Sequence, residues 1–568
     1  MLFFYPLLPG RRGVAVLLLA FASSCGLAAD FDVRAFGAKG DGRTVDSAAI
    51  NQAIDAAAAA GGGVVRLPAG TYLSFSIHLK SHLTLQFDPG ATLLAAAPSP
   101  EAGGYDPAEP NEWGDRLQYQ DFGHSHWHNS LIWGENLTDV SIVGPGLIDG
   151  TKGLSRNAGP IGRGPNGTGP AGTGGPVNSG SVGNKAIALK NCRQVVLRDL
   201  SLLMGGHFAL LATGVDDLTI DNVRIDTNRD GLDLDSCRHV RVANCAVNTP
   251  NDDAIVLKSS FALGAARACE HVTITNCQVS GYDAGTFFDG TCQRTLQRAP
   301  DRDGPTGRIK LGTESNGGFR NITISNCVFD RCRGLALETV DGGAVEDIAI
   351  SNITMREVTT APLFLRIGNR ARGPAGTPIA TMRRISISNL VVSDADPRYA
   401  SIIAGLPDHP IEDVRLSNVR IAYRGGLTME QVAKQPPELV NTFFLRTPGQ
   451  RGDAPATSAS ARDPFDVPER ENGYPEPSMF GLLPAYGLFV RHARNVTVDN
   501  VEVSFAQADE RPAVVLVDVT GAEFARVKAQ RAGGAPLFVL RGVRDFAAHD
   551  CRDVPDTNRA NAENETLP

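Results

Sequence analysis

The sequence predicts an all-β fold: a right-handed single-stranded parallel β-helix (solenoid) with an N-terminal capping helix. From about residue 185, a phrase of alternating apolar residues recurs roughly every 20–40 residues, followed by a second alternating phrase that often ends in Asn-Cys. Glycine is abundant, at 61 residues, and aromatic residues make up only 6%, which is typical of turn-rich β structure. A single coil cannot bury its apolar face, so stacked coils must bury it together.

The composition indicates a globular protein, since the chain of 568 residues is 42% hydrophobic and 20% charged. Its net charge of −8 argues against nucleic acid as a partner, although local basic patches could bind an acidic sugar polymer. The partner that we expect is a polysaccharide or oligosaccharide substrate.

Residues 1–29 are predicted to be a signal peptide. Arg11 and Arg12 precede the apolar run VAVLLLAFA, and LAA at 27–29 fits a cleavage site, with a lipoprotein signal at Cys25 as the alternative. The apolar run is too short to span a membrane. We expect a secreted or periplasmic monomer that has no membrane segment in its mature form.

Residues 30–95 are predicted to form the N-terminal cap and the first coils. Ile50, Ala53 and Ile54 fall on one face of an amphipathic helix, which Asp46 or Ser47 caps and three consecutive glycines end. The phrases VVRL and LTLQF then predict strands.

The rest of the mature chain divides at a long insertion. Residues 96–424 are predicted to form the β-helix with its active-site loops, 425–480 an insertion rich in Pro and Gly, and 481–568 the C-terminal coils. Residues 281–304 form a shorter insertion. Insertions on one face of a solenoid often build its binding cleft.

Two residue types recur at fixed places in the repeat. Stacked Asn amides support parallel strands, so the sequence predicts a hydrogen-bonded ladder of Asn222, Asn244, Asn276, Asn326, Asn352, Asn389, Asn418 and Asn500. A Cys follows an Asn in the same context, which predicts buried repeat positions for Cys192, Cys245, Cys277 and Cys327. The sequence predicts no metal site and no cofactor.

Residues 100–135 form a predicted loop that contains all three tryptophans. The indole of Trp127 could stack on a sugar ring while its N–H donates to a hydroxyl, or the loop could simply pack on its own aromatic residues. His124, His126 and His128 alternate through the same stretch, without the acidic or Cys partners that a metal site needs.

Two strand-like phrases, GLDLDS and AIVLKS, define the candidate functional centre. Aligning Leu232 with Ile255 sets Asp230 against Asp253, and Asp252 also precedes the second phrase. Neighbouring parallel strands lie about 4.8 Å apart, so three carboxylates from two coils converge at one strand entrance. We expect this patch to be open to solvent.

The same register gathers charge on the outer face of four coils, at Asp230, Asp233, Asp235, Asp253, Lys258, Lys310, Arg333 and Glu338. Two carboxylates one strand spacing apart cannot both ionise cheaply, so one keeps its proton and an acid stands beside a base. Glycoside hydrolysis uses such a pair. A solvated turn or a calcium site is the alternative reading of Asp252 and Asp253.

At these residues the chain resembles glycoside hydrolase family 28, the polygalacturonases and rhamnogalacturonan hydrolases. NRDG at 228–231 is similar to the family's Asn-x-Asp-Gly motif, and NDD at 251–253 to its paired-aspartate motif. The resemblance implies a pectin lyase-like fold and cleavage of a pectic polysaccharide. It also implies that Asp252 is the general acid, and that Asp230 and Asp253 hold the attacking water, with inversion at the sugar carbon.

Two motifs of the family are missing. TGR at 306–308 stands where the family has Gly-His-Gly, and ALE at 336–338 stands where it has Arg-Ile-Lys. Either Arg308, Lys310 or Arg333 replaces the missing basic groups, or the sugar is a different one. We assign substrate binding to Asn228, Asp233, Lys258, Arg308, Lys310, Glu338, His207 and Trp127, with a half-buried turn histidine as the alternative for His207.

Two other classes of protein stay open. A polysaccharide lyase on the same architecture would eliminate with a base such as Lys258, Lys310 or Arg308, usually with calcium. A non-catalytic carbohydrate-binding solenoid fits the missing basic motifs but not the three-aspartate cluster. The reaction product separates the classes, because elimination leaves an unsaturated sugar that absorbs ultraviolet light and a binding module releases no product.

Overall fold

The computed structural model describes residues 29–113, 119, 122–156, 183–445 and 462–568. The predicted signal peptide, apart from its last residue, lies outside the described residues, and so does the 446–461 part of the long insertion. No helix among the described residues is long and apolar enough to cross a membrane.

The predicted parallel β-helix is confirmed. Three parallel sheets run along the stack, and each strand pairs with the equivalent strands of the coils before and after it. The sheet that carries the candidate site, the site sheet, comprises Ile77–His78, Ser130–Glu135, Lys185–Lys190, Phe208–Thr213, Asp230–Asp235, Ile255–Ser259, Ile309–Ser315, Leu335–Thr339, Leu363–Ile367, Ser401–Ala404 and the first residues of Leu488–Gln507, Val514–Ala525 and Phe538–His549.

The other two sheets complete each coil. The second sheet comprises Asp30–Asp32, Gly63–Leu67, Leu83–Phe87, Thr138–Val143, Arg193–Arg198, Asp216–Asp221, Arg238–Ala243, Cys269–Thr275, Phe319–Asp330, Val345–Arg356, Met382–Ala395 and Ile411–Gly425. The third sheet comprises Asp41–Val45, Gly70–Ser74, Ala91–Ala95, Leu147–Asp149, Ser201–Leu203, Arg224–Asp226, Ala246–Asn248, Gln278–Ser280 and Lys528–Ala529. In the later coils, the long strands of the second sheet continue into the third.

The core is the apolar lumen of the stack. Alternate residues of each strand point inward, and Leu232 and Leu234 lie directly beside Ile255 and Leu257 of the next coil. Burying apolar side chains in this continuous column stabilises the coils.

Both ends of the stack are covered. The predicted helix is Ser47–Ala59, and it buries Ile50, Ala53 and Ile54 as expected. Asp46 precedes it, but the Asp46 carboxylate accepts the backbone N–H groups of residues 39 and 40 instead of capping the helix. At the other end Thr557–Leu567 pairs antiparallel with the last long strand and covers its exposed edge.

The short helices lie in connecting loops. They are the α-helix Met429–Lys434 and the 3-10 helices Val33–Phe36, Phe122–Ser125 and Pro477–Phe480. Pro477–Phe480 ends the long insertion, and the residues just before it pack on the site sheet.

The predicted buried cysteines are present, and the predicted Asn ladder is continuous from Asn326 to Asn500. In the earlier coils, Asn222 and Asn244 donate instead to Asp199 and Asp221. The amide of Asn389 donates to Asn352 at 2.9 Å and accepts from Asn418 at 3.1 Å, and Asn500 continues the ladder. The four cysteines predicted to be buried are 2% exposed or less, and no disulfide links the described cysteines. The asparagines and these cysteines are therefore part of the framework of the solenoid.

Candidate active site

The strand register predicted for the site is observed. Leu232 pairs with Ile255, and the backbone N–H of Gly231 donates to the carbonyl of Asp253 at 3.0 Å. Carboxylate oxygens of Asp230, Asp252 and Asp253 all lie within 4.8 Å of one another. Two neighbouring coils thus bring three acids together at one strand entrance.

The expectation that this patch is open to solvent is wrong for two of the three aspartates. Asp230 is 2% exposed and Asp253 is 4% exposed, whereas the side chain of Asp252 is 24% exposed. The carboxylates lie outside the apolar lumen, but the loops packed on the site sheet cover them. Asp252 is the member of the cluster that solvent reaches.

Asp253 is held as an anion by two buried cations. Arg308 Nε donates to Asp253 Oδ1 at 2.8 Å, and Lys310 Nζ lies 3.3 Å from Oδ2. Burial alone would raise the pKa of Asp253, but the charges of Lys310 and Arg308 outweigh burial and hold this pKa below its usual range. Asp253 therefore stays ionised at neutral pH.

Asp230 has the opposite environment. Burial raises its pKa well above the usual value, and the nearby charge of Asp252 raises it further. Its Oδ1 is buried and has no hydrogen-bond partner among the described residues. Asp230 therefore holds a proton more readily than its neighbours, and Asp253 loses one more readily, so the two carboxyl groups have opposite tendencies.

Asp252 lies at the rim of the cluster. Its carboxylate forms an ion pair with the half-buried Arg229. Exposed Asn228 accepts a hydrogen bond from the amide of Asn251 at 2.5 Å, so both family-like motifs contact each other here. Asn228 and Asp252 therefore face the solvent side of the site.

Lys258 and Asp233 form a buried ion pair beside Asp230. Lys258 Nζ lies 3.0 Å from Asp233 Oδ2 and 3.5 Å from Glu314 Oε2, and it also contacts His124. Asp233 is fully buried, so the prediction that it contacts substrate is corrected: its carboxylate neutralises Lys258 instead. Burial lowers the pKa of Lys258, but Asp233 and Glu314 outweigh it and raise that pKa.

The basic groups beyond Asp253 are matched by acids. Arg308 Nη2 lies 2.5 Å from Glu476 Oε1, Lys310 Nζ lies 3.4 Å from Glu338 Oε2, and Arg333 Nη1 lies 3.0 Å from Glu476 Oε1. All five side chains are at most 3% exposed. Direct substrate contacts by Arg308, Lys310 and Glu338 are therefore corrected, because each is buried in an ion-pair network.

Glu338 sits in this network as a group that can change charge near neutrality. Burial raises the pKa of Glu338 to about 7, although Lys310 and Arg308 oppose the rise. Neither carboxylate oxygen has a hydrogen-bond partner among the described residues.

The two aromatic side chains assigned to substrate lie inside the loop packing. Trp127 is fully buried against Phe208 and Leu211, and its Nε1 donates to Thr213 Oγ1 at 3.0 Å. The sugar-stacking prediction for Trp127 is therefore wrong. His207 is 4% exposed and stacks on the ring of Phe208 at 4.1 Å, as expected of a turn histidine packed in the structure.

Several residues of the site were not predicted. The register shifts between Leu257 and Ser259, where one residue, Lys258, stands opposite three residues of the next strand, 312–314. This bulge brings Glu314 to Lys258, where a regular register predicts Gly312. The long insertion adds Tyr474 and Glu476, and other loops add His124, Arg370 and Arg372.

Fold and site together define a parallel β-helix protein with a clustered-aspartate site of the kind that glycoside hydrolases use. Residues 117–284 match the family model described as Glycosyl hydrolases family 28, and residues 31–119 match one described as Rhamnogalacturonase A/epimerase, pectate lyase-like. This part of the chain is similar to glycoside hydrolase family 28, and the matches together support a glycosidase that hydrolyses O-glycosyl bonds.

Similar proteins extend these matches over most of the chain. A probable polygalacturonase of Vitis vinifera is 25% identical over 411 residues, which cover 68% of this chain and 73% of that protein. The family 28 exopolygalacturonase of Yersinia enterocolitica superposes with a TM-score of 0.58 at 17% identity, over 88% of this chain and 78% of that one. A hyperthermoactive exopolygalacturonase from Thermotoga maritima gives 0.52 at 22% identity, over 70% and 87%.

Proposed function

We propose that the chain hydrolyses a pectic polysaccharide, of the galacturonate or rhamnogalacturonan type, with inversion at the sugar carbon. The observation that carries the proposal is the convergence of Asp230, Asp252 and Asp253 within 4.8 Å, with one of them open to solvent. The names of the relatives, polygalacturonase and exopolygalacturonase, support the choice of substrate.

The three carboxyl groups have different catalytic roles, which follow from their environments. Asp252 is the most exposed, so in its protonated form, released from Arg229, it is the group that can reach the glycosidic oxygen and donate its proton as the bond to the sugar carbon breaks. Asp253 is kept ionised by Arg308 and Lys310, so it accepts the proton of the attacking water. Asp230 lies beside Asp253 and positions that water by a hydrogen bond.

The close spacing of the cluster constrains this scheme. Inverting glycosidases usually hold acid and base about 6.5–9.5 Å apart, so that water fits between them. Here the nearest oxygens of all three groups lie within 4.8 Å. Asp230 and Asp253 therefore act together on one water, and Asp252 acts alone on the leaving oxygen.

The test is the product of a panel of homogalacturonan and rhamnogalacturonan oligosaccharides, analysed by mass spectrometry and ultraviolet absorbance. Hydrolysis adds one water per cleaved bond, leaves no ultraviolet-absorbing product and persists after chelation. A product that absorbs ultraviolet light and disappears with chelator would establish a lyase instead. Binding without any product would establish a carbohydrate-binding solenoid.

We also propose that residues 1–29 are removed on export and that the mature chain works outside the cytoplasm as a monomer, without a membrane segment. The basic and apolar pattern of the N-terminus supports export. The division into a cap at 30–95, a β-helix at 96–424, an insertion at 425–480 and coils at 481–568 is supported by pairing across the insertion, since Ile411–Gly425 pairs directly with Leu488–Gln507.

A further inference from the structure

Two arginines stand on a loop beside the site, just after the strand Leu363–Ile367. Arg370 Nε donates to Asp341 Oδ1 at 3.0 Å, and its Nη2 also contacts that carboxylate, so Asp341 matches the charge of Arg370. The Arg370 side chain is 5% exposed, yet its Nη1 has no hydrogen-bond partner among the described residues. A buried guanidinium N–H is thus left to be satisfied by something else.

The backbone of Arg372 is fixed at both of its polar groups. Its N–H donates to Asp341 Oδ1 at 3.0 Å, and its carbonyl accepts from Asn316 Nδ2 at 2.7 Å. The loop therefore fixes the backbone position from which the Arg372 side chain, 16% exposed, extends.

The charge of Arg372 is matched only by a carboxylate that lies beyond hydrogen-bond distance. Its nearest carboxylate is Glu314, at 3.8 Å, which is too far for a hydrogen bond. Glu314 also lies 3.4 Å from Arg370 and 3.5 Å from Lys258, so this one carboxylate is shared by Arg370, Arg372 and Lys258. The positive charge of Arg370, together with burial, lowers the pKa of Arg372.

The other cations near the aspartates are already neutralised. Arg308 is bound by Asp253 and Glu476, and Lys310 lies between Asp253 and Glu338. An anionic substrate would have to break these buried ion pairs to use either cation, which is costly. Arg372, by contrast, is 16% exposed and has no carboxylate within hydrogen-bond distance among the described residues.

A partly exposed aromatic ring adjoins the same place. Tyr474 accepts a hydrogen bond from Thr313 at 3.1 Å, and Lys310 lies 5.8 Å from its ring. The ring also stacks on Phe444 at 5.4 Å, which fixes its orientation. Such a ring can lie against the apolar face of a sugar.

We propose that Arg372 binds the carboxylate of a uronic acid unit of the substrate, assisted by the unpaired Nη1 of Arg370 and with the sugar against Tyr474. A guanidinium matches a carboxylate with two parallel hydrogen bonds. Lys258 and Glu314 link this subsite to Asp233 and the catalytic cluster. The inference deepens the proposed function and rests on it, since it identifies an acidic rather than a neutral sugar as the preferred substrate.

The test compares trigalacturonate with its carboxyl-reduced counterpart, using wild type, Arg372→Gln and Arg372→Lys. Because Arg372→Gln removes a charge-assisted hydrogen bond, its kcat/KM on trigalacturonate should fall by about 10- to 100-fold. The loss on the reduced sugar is expected to be at least tenfold smaller, and Arg372→Lys to recover part of the activity on the acid. Arg356→Gln, an exposed arginine on another sheet, is the matched control and keeps wild-type kinetics on both sugars.

The outcomes separate the subsite from the proposed function. Equal losses on both sugars, or no loss on trigalacturonate, overturn the role of Arg372 while hydrolysis by wild type stands. If wild type cleaves neither sugar, calorimetry tests the subsite alone, and the proposed function fails only if wild type also cleaves nothing in the wider homogalacturonan and rhamnogalacturonan panel. Trigalacturonate binding that Arg372→Gln abolishes supports the subsite, and binding that it leaves unchanged refutes it.

Discussion

Glu476 holds the end of the long insertion onto the site, and its replacement by Gln should release that segment. The Glu476 carboxylate is 3% exposed and lies 2.5 Å from Arg308 Nη2 and 3.0 Å from Arg333 Nη1. Gln keeps the shape but removes the charge, and it turns an amide N–H₂ toward guanidinium N–H groups. Breaking one partner of a buried ion pair costs about 3–5 kcal/mol.

This cost should appear as local opening of residues 471–480, because the Glu476 ion pairs hold the segment to the site sheet together with the apolar packing of Met479 and Phe480. A loss of about 3 kcal/mol corresponds to a rise of roughly 100-fold in the opening equilibrium. Hydrogen–deuterium exchange of peptides that cover 471–480 measures this rise directly. Glu471→Gln, an exposed acid in the same insertion, is the control and should exchange like wild type. Exchange of the Glu476→Gln segment within threefold of wild type would refute this role of the buried network.

Three further changes test other parts of the structure. Burial raises the pKa of Glu338 from 4.5 to about 7, so the folded state is stabilised by the neutral side chain below about pH 4.5 and loses that stabilisation as pH rises through 7. The free energy of unfolding of Glu338→Gln, measured with urea, should therefore rise relative to that of wild type by about 3 kcal/mol between these pH values. Parallel pH curves for the two proteins would contradict this prediction. Asn389→Gly removes two ladder hydrogen bonds without straining a positive φ, so the melting temperature should fall by a few degrees, whereas no change would mean that the ladder adds no stability. Trp127→Phe loses the hydrogen bond to Thr213, so it should lower the melting temperature and leave KM within twofold of wild type. A tenfold rise in KM with an unchanged melting temperature would instead support stacking of Trp127 on a sugar.

The fold and the convergence of the aspartates could be predicted because both follow from local repetition. Leu232 and Ile255 occupy the same place in successive phrases, and alternation with a period of two leaves one register that buries both. That register alone brings Asp230 close to Asp253. The Asn ladder is predictable for the same reason, since each coil repeats the turn.

The cover of the site could not be predicted, because it depends on contacts between residues distant in sequence. Glu476 reaches Arg308 across 168 residues, and no repeat relates the two. The bulge that moves Glu314 beside Lys258 breaks the register that the sequence defines. Trp127 has an indole of the kind that stacks on sugar rings, but only the packing of its loop shows that this ring is buried.

The most direct test of the central claim, that three aspartates from neighbouring coils act on one glycosidic bond, is the hydrolysis rate of Asp252→Asn. Asp217→Asn is the matched control, because Asp217 belongs to another Asp-Asp pair on the second sheet and lies at φ 56°, where Asn is well tolerated. With melting temperatures equal to wild type, Asp252→Asn should lose roughly 10²–10⁴-fold in kcat on the pectic oligosaccharide that wild type cleaves, while Asp217→Asn keeps its rate. Turnover by Asp252→Asn within threefold of wild type would contradict the assignment.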